Sequence, residues 1–149
     1  MILFIPVLIS IFLALIIAIL GIKRLNIVES WLATVVSGIL ILLSFIIVRV
    51  VGVSSWSTPF LSISGYQDTL IRFQLDERNW MFGLLLIGVF LASIFSEASQ
   101  IFTIKNKNAW FIALIITGLG LLSIFSKSLI TYLLFSILTD LGMLLLLST

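Results

Sequence analysis

The chain has 149 residues, 62% of them hydrophobic and 9% charged, with a mean hydropathy of +1.38 and a formal net charge of +2. A soluble domain carries about 25% charged residues, so a surface this poor in charge faces lipid, and the sequence reads as an all-α integral membrane protein. It contains neither Cys nor His, which excludes disulfides, a cysteine nucleophile and the usual thiolate or imidazole metal sites in this chain alone, and no basic cluster points to nucleic acid.

About 20 apolar residues cross a hydrocarbon core of roughly 30 Å, and five runs approach that length. The first, residues 2–22, ends at Lys23 and Arg24. Pro6 stands in its first two turns, where a missing backbone donor matters least. No basic residue precedes the run and no small-residue cleavage site follows it, so it reads as a span and not as a signal peptide. The second, residues 31–53, holds one charge, Arg49, near its far end, from which a long side chain snorkels to the headgroups.

The third run, residues 80–96, is bracketed by DERN and by Glu97. The fourth, residues 110–125, follows KNKN. The fifth, residues 129–147, comes after only Ser126, Lys127 and Ser128, which predicts an antiparallel helical hairpin of the last two spans. Trp31, Trp80 and Trp110 each open a span, as interfacial anchors do. All of residues 1–149 therefore form one transmembrane domain.

The long connection between the second and third spans contains Pro59, Gly65 and several Ser, which argues against helix. Leu61 and Ile63 alternate with Ser62 and Ser64, and Ile71, Phe73 and Leu75 alternate with Arg72, Gln74 and Asp76. Alternation on both sides of SGYQD predicts a small β-hairpin over residues 60–76, lying on the membrane surface. Lys23, Arg24, Lys105 and Lys107 fall on one side of the membrane. Arg72, Arg78 and Lys127 fall on the other, offset by Asp68, Asp76 and Glu77. The positive-inside rule then places the N-terminus on the periplasmic or intermembrane-space side of a bacterial or mitochondrial inner membrane.

Asp140 is the one ionisable residue near the middle of a span. A charge at the bilayer centre costs about 2.5–3.5 kcal/mol on insertion scales, and such carboxylates usually face protein or a water file. Asp140 is thus either a proton-relay or ion-site carboxylate, or a neutral acid in a helix-packing hydrogen bond with Thr139 or Ser136 nearby. Arg49, Glu97 and Lys127 are helix-end charges. Small and hydroxylated residues (Thr34, Ser37 and Gly38; Gly83 and Gly88; Thr117, Gly118 and Gly120; Ser136 and Gly142) allow helices to approach closely. There is no Gly-rich phosphate loop, no nucleophile with a base and no catalytic carboxylate pair, so the chain alone carries no catalytic site.

Two helices, a surface hairpin and three further helices, with FQLDERNWMF leading into the third, form an order that resembles the N-terminal third of the antiporter-like membrane subunits of respiratory complex I and Mrp-type antiporters. Phe73, Leu75 and Asp76 match the family segment before its third helix, and Thr139 and Asp140 stand where the family has a mid-membrane Trp-Glu pair. The sequence stops at Thr149, before the region where the family places its membrane Lys and broken helices. The resemblance implies ion-pumping ancestry for Asp140. It leads to the expectation of a truncated or split antiporter-like subunit of a proton-translocating NADH/quinone oxidoreductase. The alternatives are a structural accessory subunit of an energy-converting membrane complex, and a free-standing oligomeric transporter, which the scarcity of polar lining disfavours. NAD, quinone and iron–sulfur clusters are expected only in partner subunits, with no cofactor or metal on this chain. The expected partners are other membrane subunits and lipids.

Overall fold

The computed structural model describes residues 2–23, 26–52, 55–57, 72–100 and 108–147. Nearly all of these are helical: α1 (Ile5–Lys23), α2 (Ile27–Val51), α3 (Glu77–Ser96), α4 (Asn108–Phe125) and α5 (Leu129–Leu147). Two three-residue strands, β1 (Ser55–Ser57) and β2 (Arg72–Gln74), stand between α2 and α3. In lipid every backbone polar group needs an internal partner, and a helix supplies it within one segment. Three helices, α2, α3 and α5, are long and apolar enough to cross a membrane, whereas α1 and α4 contribute the shorter apolar stretches Ile5–Ile19 and Ala109–Phe125.

The helix ends follow local chemistry more than the positions of the tryptophans. α2 begins a turn before Trp31, because the Asn26 N–H donates to the Glu29 carboxylate at 2.8 Å, the returning half of a capping box. α3 begins at Glu77, directly after Asp76, so Trp80 also lies one turn inside its helix. α2 stops at Gly52, whose φ of 74° is left-handed and whose N–H donates to the Arg49 carbonyl at 3.2 Å. That geometry suits glycine, which has no Cβ to clash.

α4 is the centre of the bundle. It is apolar on all sides, packs against α1, α2, α3 and α5, and presents no exposed side chain among its described residues. A helix hydrophobic all round belongs inside a protein or a membrane bundle. α1, α2 and α3 surround one side of it in chain order, and α5 lies on its other flank. Close approach is set by small residues. Gly118 abuts Ser10 of α1, and a Cβ on Gly120 would lie 2.9 Å from Leu86 of α3. At the strand-bearing end the ring of Phe45 is fully buried, stacked 6.5 Å from Trp80 and 5.9 Å from Phe125. This stack joins α2, α3 and α4.

The expected hairpin over residues 60–76 is corrected by the strand pairing. Trp56 stands opposite Phe73, Ser55 opposite Gln74 and Ser57 opposite Arg72, in a single short antiparallel pair. The SGYQD turn and the alternating 61–64 stretch lie outside the described residues. A tight hairpin centred on SGYQD would bring Phe73 opposite residue 59, a register three residues away from Trp56. Burial of Phe73 holds β2 instead: it is 5% exposed, edge-on to Phe4 at 4.9 Å, 5.9 Å from Phe135, and bridged to Ser126. Alternation identified Phe73 as an inward residue but could not identify its partner strand.

Candidate functional site on the fifth helix

α5 touches the bundle along one narrow stripe. Thr131, Phe135, Thr139, Gly142 and Leu146 are shielded positions spaced four, four, three and four residues apart, the spacing of one helix face, and Ser136 at the edge of this stripe is half-buried as well. Gly142 seats this stripe on α4, since a Cβ there would lie 2.9 Å from Ile116. Most of the remaining surface of α5 is exposed leucine, isoleucine and methionine.

Asp140 lies outside that stripe. At about 100° per residue its side chain leaves the helix about 140° away from the middle of the α4 contact, and it is exposed. It is the twelfth of the 19 residues of α5. At a rise of 1.5 Å per residue that is about 16 Å from one helix end and about 10 Å from the other. The carboxyl is therefore at membrane depth and points away from the chain's own bundle. It makes no hydrogen bond or ion pair among the described residues. Thr139 does not serve it either: its hydroxyl donates to the Phe135 carbonyl at 2.7 Å.

The other charged residues singled out in the sequence stand at the helix ends and are not brought to Asp140. Arg49, in the last turn of α2, reaches 3.5 Å from Glu77 and lies 5.8 Å over the Trp80 ring. With Glu77 88% exposed, such a pair contributes about 0–1 kcal/mol. Lys127, between α4 and α5, donates to the Gln74 side chain and so fastens that connection to β2. Glu97 follows α3 at the opposite end, where partial loss of hydration raises its carboxyl above the ordinary value of 4.5.

Among the described residues the bundle interior offers no ionisable alternative to Asp140. Its buried polar residues are Ser10, Ser30, Thr34, Ser37, Ser44, Thr117 and Thr131, none of them ionisable. Ser10, Thr34, Ser37, Ser44 and Thr117 donate to carbonyls three or four residues back in their own helices, at 2.7 to 2.8 Å. Hydroxyls bonded in this way are satisfied locally and do not form a relay. No group of three or more His, Cys, Asp or Glu able to hold a metal forms among the described residues.

Two polar residues share the helix flank of Asp140. Tyr132, Ser136 and Asp140 follow one another at intervals of four, and the side-chain hydroxyls of Tyr132 and Ser136 also make no hydrogen bond among the described residues. Ser136 is a sequence neighbour of Asp140, and the i, i+4, i+8 spacing adds Tyr132, which is not among the site residues expected from the sequence. No protein-family model matches the chain, and no curated protein or solved structure matches it either.

Proposed function

We propose that the chain is a membrane subunit of a larger energy-converting complex, crossing the bilayer five times and meeting its neighbour through the outward face of α5. The observation that carries this reading is the carboxyl of Asp140, set at membrane depth on the side of α5 facing away from α4. A charge in that position against hydrocarbon costs about 2.5–3.5 kcal/mol or more. The chain's own described residues supply nothing to offset it, so the compensating groups belong to another polypeptide. The leucine-rich remainder of the face suits a second transmembrane helix as well as it suits lipid.

Two versions of the host follow. The resemblance to antiporter-like subunits supports a proton-translocating NADH or quinone oxidoreductase in which Asp140 carries ions at the subunit junction. The locally satisfied hydroxyls of the interior favour instead an accessory subunit whose Asp140 binds the neighbour and moves nothing. In both, β1, β2 and the N-terminus lie on the periplasmic or intermembrane-space side.

Isolation of the full chain in native lipid nanodiscs, with intact-mass determination, tests the shared reading. A stoichiometric hetero-assembly is expected, and Asp140→Leu should dissociate it. A chain found alone in both preparations would overturn the proposal. Asp140→Asn then separates the two versions: proton transport by the host is lost in the first and retained in the second.

A further inference from the structure

We infer that α5 carries a water-accessible polar track that leads from the strand-bearing surface to Asp140 and admits a small cation or a proton. The inference rests on the subunit reading, because the neighbour that meets Asp140 supplies the wall that closes the track from lipid.

The track begins at a cavity of about 350 Å³ between α3, α4 and α5, lined by Asn79, Phe82, Ser123, Ile124, Ser126 and Tyr132. Asn79 lies in the first turn of α3 and Ser126 just past the end of α4, so the cavity sits at the strand-bearing end of the bundle. It has room for about ten waters at their liquid volume. Its hydroxyls point their protons inward: Ser123 donates to the Gly120 carbonyl at 2.9 Å and Ser126 to the Ser123 carbonyl at 2.6 Å. Their lone pairs and the Tyr132 hydroxyl remain to hold water, with the Asn79 side-chain carbonyl beside them; the Asn79 amide nitrogen donates to the Gln74 carbonyl at 3.2 Å.

Tyr132 connects the cavity to the helix flank. Ser136 and Asp140 follow it at one-turn intervals, each step rising about 6 Å and turning about 40°. Side chains one turn apart share a face of the helix, and a bridging water can link polar groups too far apart for a direct hydrogen bond.

The hydroxyl chemistry sets these residues apart from the rest of the bundle. Ser10, Thr34, Ser37, Ser44, Ser93, Ser96, Thr117, Ser123 and Thr139 all donate to carbonyls of their own helices. Thr131 pairs with Ser128 at 2.5 Å. Within the described helices only Ser30, Tyr132 and Ser136 leave a hydroxyl without a partner. Ser30 is buried in α2, and the other two stand in line with Asp140. All three groups of the line present oxygen atoms, the ligands of hydrated protons and hard cations.

The absence of cysteine from the sequence makes a direct test possible. Single cysteines at Tyr132 and Ser136, and at Leu133 and Ile137 as controls of matching depth, are placed in the full chain within its native membrane. A charged, membrane-impermeant methanethiosulfonate is applied from the strand-bearing side, and co-isolation of the neighbour is followed in the same preparation. Tyr132→Cys and Ser136→Cys should label an order of magnitude faster than either control. In parallel, a water-soluble carbodiimide should modify Asp140 more slowly in Ser136→Leu than in the unaltered chain. Equal labelling rates with the neighbour retained would overturn the track and leave the subunit reading standing. Failure to co-isolate any neighbour would overturn both.

Discussion

Replacing Gly83 by alanine tests whether the bundle is held by close packing at its aromatic stack. Gly83 of α3 faces Phe45 of α2, and an added Cβ would lie 3.0 Å from Phe45 Cε2, 3.3 Å from Cε1 and closer still to Cζ. The ring cannot retreat, because Phe125 stacks 5.9 Å away and Trp80 6.5 Å away, with interplanar angles of 5° and 7°. Overpacking of this kind costs about 1–3 kcal/mol. In lipid there is no water-transfer term between helices to mask it. Phe45→Leu alone forfeits two ring contacts of about 0.5–1.5 kcal/mol each. Combined with Gly83→Ala it also relieves the clash, so the double variant should be more stable than the sum of the singles by about 0.5–3 kcal/mol. Reversible unfolding in mixed detergent micelles, followed by tryptophan fluorescence, measures all four proteins, with Trp80 inside the stack as one reporter. Additive losses, with coupling below about 0.5 kcal/mol, would refute the reasoning.

Three further outcomes follow from the packing and the rim charges. Gly142→Ile should push α5 off Ile116, raising amide hydrogen exchange in Leu129–Leu147 while α1 to α4 keep their protection; a uniform rise would show that α5 is not a separate layer. Arg49→Met should cost no more than about 1 kcal/mol, because the Glu77 pair is largely solvated and an exposed cation–π contact contributes about 0.5–1 kcal/mol; a much larger loss would place Arg49 in a tighter role than its exposure indicates. Glu97 has a folded-state pKa raised above 4.5, so its ionised form is disfavoured by folding and stability falls as pH rises through that range. Glu97→Gln should therefore raise the thermal midpoint at neutral pH, with the gain vanishing as the pH drops below the ordinary carboxylate value. A gain that stays constant with pH would point to a cause other than charge.

The membrane helices were legible because their signal is long and redundant: each span needs only a sustained apolar run with polar punctuation. Their starts were less so. In the sequence Trp31 and Trp80 are the first residues of their apolar runs, while Glu29 and Asp76 to Asn79 start each helix a turn earlier; both rings pack within the bundle, Trp31 donating to the Ile94 carbonyl at 3.0 Å and Trp80 stacking on Phe45. The strand pairing was misread because period-two alternation identifies an inward residue such as Phe73 and carries no information about which distant residue, here Trp56, will lie beside it. Asp140 was legible as a group at membrane depth. Its direction was not, because the shielded stripe of α5 mixes Thr131, Thr139 and Gly142 with Phe135 and Leu146, while apolar residues cover the rest of the helix, so apolar periodicity singles out no face. The spacing of Tyr132, Ser136 and Asp140 is visible in the sequence; the structure adds that the line runs from exposed Tyr132 past half-buried Ser136 to exposed Asp140.

Photo-crosslinking in the native membrane tests most directly the claim that α5 meets another polypeptide. A photoreactive amino acid at Ile137 or Leu144, 58% and 62% exposed on the outward face of α5, is compared with one at Val36 or Ile47 of α2, 55% and 59% exposed. The account predicts that the two α5 positions capture one and the same membrane polypeptide in high yield, with capture falling in Asp140→Leu. Lipid adducts alone at Ile137 and Leu144, unchanged by Asp140→Leu, would contradict it.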